Sequence, residues 1–314
     1  GADWYVEQVE QWRPLAARLR SDASTPSAGD ELILYQVLLG SWPLDLHRDD
    51  TEGLADYHQR LWQWQQKALR EAKLQSSWSA PNQLYEQGVE AFLSRLLLED
   101  SGKALRDAIG EAARAIAPAG ALNGLAQSLL RLTVPGVPDL YQGDEFWDFT
   151  LVDPDNRRPV DYHARQQGLH TPPDIGELMF NWHDGRIKQA LISQVLGLRK
   201  VHPQLFRQGT YEPLEVVGEH AERVVAFYRE YQGKQLLVVV PRWPHQLLEN
   251  GVYPLVNAQI WGDTRVRLPF AASTQNWKGL FRTGAVTPNK ELMISAALGD
   301  FPVNVFINPD DQES

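Results

Sequence analysis

Apolar positions in the first third of the chain recur every three or four residues, the period of a helix with one buried face. The clearest case begins near Thr51, with Glu52 in its first turn. Its apolar row consists of Leu54, Tyr57, Leu61, Trp64 and Ala68. Its polar positions carry Asp56, Gln59, Arg60, Gln63 and Lys67. This spacing predicts an amphipathic helix.

The same period predicts further helices over residues 31–39, 84–98 and 103–116. Proline is favoured in the first turn of a helix, where its missing N–H is not needed. Pro118 is therefore predicted to open another apolar helix that runs through residue 132. Residues 1–132 are predicted to form a helical subdomain.

From residue 211 onward the period changes to two. Val224, Ala226 and Tyr228 alternate with Val225, Phe227 and Arg229. Further β-type runs cover residues 236–240, 264–268, 292–294 and 303–307, with turn residues between them. Short strands at this spacing predict an antiparallel β-sandwich over residues 208–314.

Residues 133–207 lie between these two parts and contain both strand-type and helix-type patterns. An apolar run at 137–141 follows a Pro-Gly pair and is predicted to be a buried strand. A long irregular loop rich in Pro and Asp follows it to residue 158, and loops of this length are often functional. Residues 186–201 are predicted to be a helix. A lone strand has unpaired backbone edges, so we expect residues 134–173 to be less stable than the helical part and the sandwich.

Composition and charge restrict the partners. Forty acidic and 30 basic residues give a net charge of −10 without a basic stripe, which predicts no nucleic-acid partner. No apolar run approaches the roughly 20 residues that span a bilayer, so no membrane insertion is predicted. The chain has no cysteine, which excludes disulfides and fits a cytoplasmic location. Its eight histidines lack metal-site spacing, so no metal site is predicted.

Tryptophan and tyrosine are the one compositional excess, at 11 and ten residues. Flat aromatic faces stack on the C–H faces of sugars, although most tryptophans are core anchors. Carboxylate, guanidinium and amide side chains are concentrated in PGVPDLYQGDE from Pro135 and in DPDNRRP from Asp153. Together these two stretches resemble the eighth barrel strand and its loop in the α-amylase superfamily. HPQLFRQGTYEPL, from His202, is similar to the superfamily's passage from the last barrel helix into a C-terminal β-domain.

Three further stretches resemble one family within that superfamily, the maltooligosyl trehalose synthases. They are LYQVLLGSWPL from Leu34, KLQSSWSAPNQLYE from Lys73 and LVDPDNRRPVDY from Leu151. The resemblance extends over residues 32–305. It implies an α+β multidomain fragment with three parts: the helical subdomain 1–132, inserted after barrel strand 7; the last β/α unit of a (β/α)8 barrel, 133–207; and the C-terminal antiparallel β-sandwich, 208–314.

The resemblance also implies an activity. The family converts the reducing-end α-1,4 bond of maltooligosaccharides into an α,α-1,1 (trehalose) linkage, as a (1→4)-α-D-glucan 1-α-D-glucosylmutase. This is a retaining intramolecular transglycosylation that uses carboxylates and no cofactor. The family's catalytic carboxylates precede the eighth strand, and residues 1–132 contain none of their motifs. We therefore assign no catalytic residue here and expect the isolated chain to be inactive. We expect it to begin inside a longer gene product whose N-terminal barrel segment is its partner.

The candidate substrate-binding residues are aromatic, amide or charged residues of the resembling motifs: Trp78, Asn82, Tyr141, Asp153, Asn156, Arg157 and Arg158. They would contact a maltooligosaccharide or α-1,4-glucan. Alternatively, the arginines only hold the loop by ion pairs with Asp153, Asp155 or Asp161, and Trp78 only fills a helix–loop junction. The pair His183-Asp184 is interpreted as the N-terminal cap of the helix that follows.

Two other functions remain open. The chain could be a non-catalytic α-glucan-binding module, which would bind glucan without product formation. It could also be the C-terminal subunit of a split enzyme, which would require a neighbouring reading frame that encodes the first seven barrel strands.

Overall fold

The computed structural model describes residues 2–170, 174–248, 251–269, 276–282, 284–287 and 290–309. The chain divides into two compact units. The first unit comprises Gly1–Ala117 and Phe149–Pro159, and the second comprises Pro118–Asp148 and Val160–Ser314. The segment Phe149–Pro159, hereafter the 149–159 loop, thus belongs to the helical first unit although it follows residues of the second unit in sequence.

The first unit is built from helices. They are α1 (Ala2–Ala17), α2 (Ala28–Ser41), α3 (Thr51–Ala72), α4 (Gln83–Leu98) and the beginning of α5 (Lys103–Thr133). The carboxylate of Asp50 accepts the backbone N–H of Gly53 at 2.9 Å and so caps α3. The predicted helices at 31–39, 51 onward and 84–98 are confirmed.

The apolar face of α3 lies in the core of the first unit. Leu54, Tyr57 and Leu61 are buried as predicted, and Trp12, Tyr35 and Phe92 of other helices join the same core. Toward the end of α3 the buried row continues through Gln65 and Leu69, one position beyond the predicted Trp64 and Ala68. An alternating spacing of three and four averages 3.5 residues per turn and drifts by about 20° per seven residues from the 3.6-residue helix. Trp64 is therefore only half-buried, although it packs against the same core.

The predicted helix start at Pro118 is wrong. Helix α5 is a single element of 31 residues with Pro118 inside it. Proline removes one backbone donor, but alanines flank it on both sides and have the highest helix propensity, so the helix continues. The boundary between the two units falls at this proline.

The second unit combines helices with antiparallel sheets. Its remaining helices are α6 (Tyr162–His170), α7 (Ile175–Phe180), α8 (Arg186–Val201), α9 (Pro203–Gln208) and α10 (Ile294–Leu298). Its strands are β1 (Glu212–Pro213), β2 (Val216–Val217), β3 (Val224–Tyr231), β4 (Lys234–Pro241), β5 (Arg265–Arg267), β6 (Trp277–Gly279), β7 (Ala285–Val286), β8 (Glu291–Met293) and β9 (Asn304–Ile307). The predicted helix 186–201 is confirmed, whereas α10 was not predicted.

Two antiparallel sheets contain these strands. One has the order β1-β3-β4-β9-β6-β7 and the other the order β2-β5-β8. Strands β3 and β4 pair along their whole length, and the turn between them has φ values of 50° at Gln232 and 83° at Gly233. Positive φ at both central residues is typical of a tight hairpin turn. Both sheets contribute to one core that includes Trp261, Trp277 and Phe306. The predicted antiparallel β structure is therefore present.

The prediction of a buried strand at 137–141 is wrong. These residues have no regular secondary structure, and the side chain of Val137 is 96% exposed. A barrel strand is buried only when parallel neighbours cover its edges and faces. Every strand pair among the described residues is antiparallel, and none includes this segment. Over the same described residues, no helix is long and apolar enough to cross a bilayer.

Candidate functional site

The 149–159 loop is anchored to helix α3 by one buried ion pair. Arg60 donates from Nε to Oδ1 of Asp155 at 3.0 Å and from Nη2 to Oδ2 at 2.9 Å. The same Nη2 also donates to the carbonyl oxygen of Phe149 at 2.8 Å, and the backbone N–H of Leu151 donates to Oδ2 of Asp155 at 2.7 Å. Arg60 thus fixes the start and the middle of the loop with its planar guanidinium fork.

The environment of Asp155 keeps its carboxyl ionised. Burial acts to raise its pKa, but the hydrogen bonds from Arg60 and from the Leu151 N–H outweigh burial, and the charges of Arg60 and Arg158 add to them. The pKa of Asp155 is therefore below its usual value. The side chain is 6% exposed, and both of its oxygens are occupied by the loop and by α3. Asp155 acts as an anchor of the loop.

A second cation of α3 holds the loop at Asp153. Lys67 donates from Nζ to the Asp153 carbonyl oxygen at 2.9 Å and lies 3.6 Å from the carboxylate Oδ2. The Asp153 carboxylate also pairs with Arg157, four residues later in the loop. Because Arg157 is 76% exposed, water screens this pair strongly.

The outer side of the loop presents three candidate residues to solvent. Asn156, Arg157 and Arg158 are all exposed. Arg158 approaches Asp56 of α3 at 3.5 Å, and both side chains are about half exposed. These residues supply amide and guanidinium N–H groups on a loop whose backbone is fixed, which suits hydrogen bonding to hydroxyl groups.

Trp78 and Asn82 lie in the connection between α3 and α4, also in the first unit. Trp78 is 57% exposed, and the guanidinium carbon of Arg70 lies 4.9 Å from its ring centroid. Asn82 is exposed, but its side-chain oxygen accepts the backbone N–H of Tyr85 at 3.2 Å and caps α4. The structure therefore gives Asn82 a structural role at the start of a helix.

A buried carboxylate organises this connection. Glu86 accepts Nε of Arg70 at 2.8 Å and Nη2 of Arg70 at 2.6 Å, and the hydroxyl of Ser76 also donates to it. The hydrogen bonds from Arg70 are the main cause of a lowered pKa of Glu86, which burial opposes. Ser76 in turn accepts the backbone N–H of Asn82 at 3.0 Å. Glu86 thus fixes the guanidinium on which Trp78 stacks.

The two groups of candidates are attached to the same helix. Lys67, which binds Asp153, and Arg70, which binds Glu86, are three positions apart on α3, and such residues are neighbours on a helix surface. The structure therefore brings together the loop residues Asp153, Asn156, Arg157 and Arg158, and it attaches the connection that bears Trp78 one turn further along α3.

Tyr141 belongs to the second unit, where its side chain is 61% exposed. The residues after it are held mainly by Arg165, which donates to the Gly143 carbonyl oxygen at 2.7 Å and to the Glu145 carboxylate at 3.2 Å. Lys188 donates to the Phe146 carbonyl oxygen at 3.1 Å, and its burial lowers its pKa. The segment 143–146 is thus fixed within its own unit, and Tyr141 precedes it.

Sequence reasoning missed the two cations that fix the loop. Arg60 and Lys67 were assigned only to the polar face of α3. Their partners, Asp155 and Asp153, are 95 and 86 positions away along the chain. The available signal was a charged row on one face of α3 together with an Asp-rich loop that needed partners.

The pair His183-Asp184 lies at the start of α8. The Asp184 carboxylate accepts the backbone N–H of Arg186 at 2.9 Å, which confirms its place at the start of α8. Groups of three or more His, Cys, Asp or Glu that could hold a metal ion do not occur among the residues that the structure describes.

Comparison with known proteins places the chain among relatives that share one name. No family model matches the chain. It is 34% identical over 296 residues to proteins of two strains of Mycobacterium tuberculosis named as maltooligosyl trehalose synthase, a match that covers 94% of this chain and 34% of each relative. The solved maltooligosyltrehalose synthase of Arthrobacter ramosus matches with a TM-score of 0.71 and 26% identity, over 96% of this chain and 35% of that one.

A hypothetical maltooligosyl trehalose synthase from Sulfolobus tokodaii shows the same fold, with a TM-score of 0.68 and 23% identity over 98% of this chain and 35% of that one. The chain therefore spans about a third of the length of the relatives that it matches.

Proposed function

We propose that this chain, which belongs to the maltooligosyl trehalose synthase family, forms the acceptor-side part of a glucosylmutase. The whole enzyme would convert the reducing-end α-1,4 bond of maltooligosaccharides into an α,α-1,1 linkage. The observation that carries the proposal is the match at 34% identity across 94% of the chain to relatives that bear this name. The fixed 149–159 loop is the part of the chain that we propose to contact the sugar.

The loop suits the recognition of a sugar that must be held and then reoriented. Its backbone is fixed by Arg60 and Lys67, so Asn156, Arg157 and Arg158 present their N–H donors from a preorganised frame. A fixed backbone reduces the conformational entropy that is lost when these side chains bind a hydroxyl group. In this role the three side chains position the sugar and perform no bond cleavage.

Trp78 is proposed as an aromatic platform of the same site. Its ring is 57% exposed, and Arg70, itself fixed by Glu86, lies against it. A flat apolar ring suits the C–H face of a glucose unit. Asn82, whose side-chain oxygen caps α4, would contribute at most its amide N–H groups.

The chemistry itself is proposed to come from outside the 314 residues. A retaining transglycosylation needs a carboxylate nucleophile and a carboxylic acid about 5 Å apart on either side of the glycosidic bond. The buried carboxylates Asp155 and Glu86 are both held by arginines, which suits anchoring. The proposed partner is the barrel segment that bears the catalytic carboxylates.

A chimera tests this proposal. This chain would replace the matching 296 residues of a Mycobacterium tuberculosis relative, and product formation from maltopentaose would be followed as loss of reducing ends. We expect the chimera to form a trehalose-ended product and the isolated chain to form none. A folded chimera without turnover, beside an active parent enzyme, would refute the assignment. Turnover by the isolated chain would refute the location of the catalytic groups.

The exposed ring of Trp78 also supports the alternative of a non-catalytic α-glucan-binding module. One combination of experimental results distinguishes the binding module from the acceptor-side part of an enzyme. Binding of maltoheptaose by the isolated chain, together with a folded but inactive chimera, would favour the module.

A further inference from the structure

Trp243 is an exposed tryptophan in a backbone conformation that side chains rarely adopt. It lies two residues after the end of β4, its φ is 51°, and 56% of its side chain is exposed. The left-handed region is sterically unfavourable for residues with a Cβ, and glycine or asparagine occupies it at lower cost. A large apolar side chain in water at a strained position indicates that the ring serves something other than folding.

The surrounding contacts fix this conformation. Arg223 donates from Nη1 to the carbonyl oxygen of Trp243 at 3.1 Å and from Nη2 to Oε1 of Gln246. The backbone N–H of Arg242 donates to the carbonyl oxygen of Arg223 at 2.8 Å. The next residue, Pro244, is buried and begins the short 3-10 turn Pro244–Leu247. These contacts hold the backbone of Trp243 in its left-handed conformation.

The guanidinium groups of two arginines lie close to the indole ring of Trp243. The guanidinium carbon of Arg242 lies 3.6 Å from the ring centroid of Trp243, and that of Arg223 lies 5.9 Å from it. Arg242 is exposed and forms no ion pair with another described residue. Arg242 stacks on the ring while its N–H donors remain available at the ring edge.

We propose that Trp243, with Arg242, Arg223 and Gln246, forms a second α-glucan-binding site, hereafter the Trp243 platform. The exposed ring surface matches the apolar C–H face of a glucose unit. The guanidinium and amide N–H groups beside it match the hydroxyl groups at that unit's edge. The choice of an α-1,4-glucan as ligand rests on the proposed function. The net charge of −10 disfavours a polyanion.

The role of such a site is to retain a long substrate. A second site on the same protein keeps the glucan at a high local concentration, which raises the apparent affinity for long chains. The Trp243 platform would therefore increase the affinity for long glucans and leave the turnover of maltopentaose unchanged.

Calorimetric titration of the full chain with maltoheptaose tests the Trp243 platform. The titrations use a Trp78→Ala background, which removes the aromatic platform proposed for the first unit. We expect Trp243→Asn to weaken binding at least about tenfold, the factor that corresponds to 1.4 kcal/mol. The matched control is Phe180→Ala, because Phe180 is a 69% exposed aromatic residue of the same unit. We expect this control to bind as the background does.

Thermal unfolding of the same variants separates a binding role from a structural one. Asparagine fits the left-handed conformation, so Trp243→Asn should unfold at the same or a higher temperature than the background. A lower unfolding temperature with unchanged binding would show that the ring is a structural cap and would overturn the proposal. Absence of maltoheptaose binding in the background, with binding of inorganic phosphate that Trp243→Asn abolishes, would also overturn it in favour of an anion site. Neither result depends on turnover by the chimera.

Discussion

The guanidinium of Arg60 on α3 and the carboxylate of Asp155 in the 149–159 loop form a two-point hydrogen-bonded pair, at 3.0 and 2.9 Å. The two side chains are only 13% and 6% exposed. Although the loop has little regular structure, this pair, together with the bond from Lys67 to the Asp153 carbonyl oxygen, gives its backbone a defined position. The exposed Asn156, Arg157 and Arg158 depend on it for their placement.

The first prediction concerns the stability that Arg60 provides. Substitution Arg60→Met removes one partner of a buried pair and leaves the Asp155 carboxylate without its cation. Such a change costs about 3 kcal/mol, the lower end of the range for buried pairs, since Arg60 keeps some contact with water. Urea unfolding followed by far-ultraviolet circular dichroism measures it.

Arg157→Met is the matched control, because Arg157 has the same charge but is 76% exposed. It should change the free energy of unfolding by less than about 1 kcal/mol. Equal effects of the two substitutions would show that the loop is not anchored at Arg60.

The second prediction concerns pH. The pKa of Asp155 is lower in the folded chain than in an unfolded one, as hydrogen bonds from Arg60 and Leu151 outweigh burial. Its stabilising effect is therefore complete above the ordinary aspartate pKa of about 4 and is lost as the pH falls through the lowered folded value. Asp155→Asn should unfold about 2 kcal/mol more easily than the parent near pH 7, the scale of a hydrogen bond to a charged group.

At the acid end of the range, the protonated parent resembles the asparagine variant, so the difference between their free energies of unfolding should shrink toward zero. Urea titrations at a neutral, a mildly acidic and a strongly acidic pH measure this convergence. A difference that stays constant across the series would mean that the charge of Asp155 contributes nothing.

The third prediction concerns backbone protection in the second unit. Residues 137–141 lie outside every strand pair described, and Val137 is 96% exposed. Their amide protons should exchange about as fast as those of an unfolded chain, whereas those of Leu237 and Val239, buried in β4, should be among the slowest. Native-state hydrogen exchange provides both rates in one experiment. Slow exchange at 137–141 would reveal a partner for this segment.

Most individual helices and strands could be predicted from the sequence, but the contacts between residues far apart in the chain could not. The period of α3 follows from side chains within one turn of each other, so the helix was predictable. The pairing of Arg60 with Asp155 bridges 95 positions, and the pattern around either residue carries no information about the other. The run at 137–141 has the composition of a buried strand, yet burial depends on neighbouring strands that the described chain does not provide.

Pro118 and Asn82 are single residues at which the local sequence allowed more than one interpretation. The usual position of proline at helix starts predicted a new helix at Pro118, but α5 runs through this residue without a break because the alanines around it maintain the helix. Asn82 was assigned to the substrate, but it stands directly before α4, where an asparagine oxygen accepts a backbone N–H. Capping was the simpler physical prediction for that position.

The most direct test of the account measures Arg157→Lys and Arg158→Lys in the active chimera. Lysine keeps the charge of arginine but loses the planar fork of donors. We predict that kcat/KM for maltopentaose falls by about one to two orders of magnitude, the scale expected when site geometry slips by about 1 Å. The unfolding temperature should hardly change, because both side chains are exposed. Normal kinetics together with early unfolding would show that the two arginines only hold the loop, and would contradict the proposed contact with sugar.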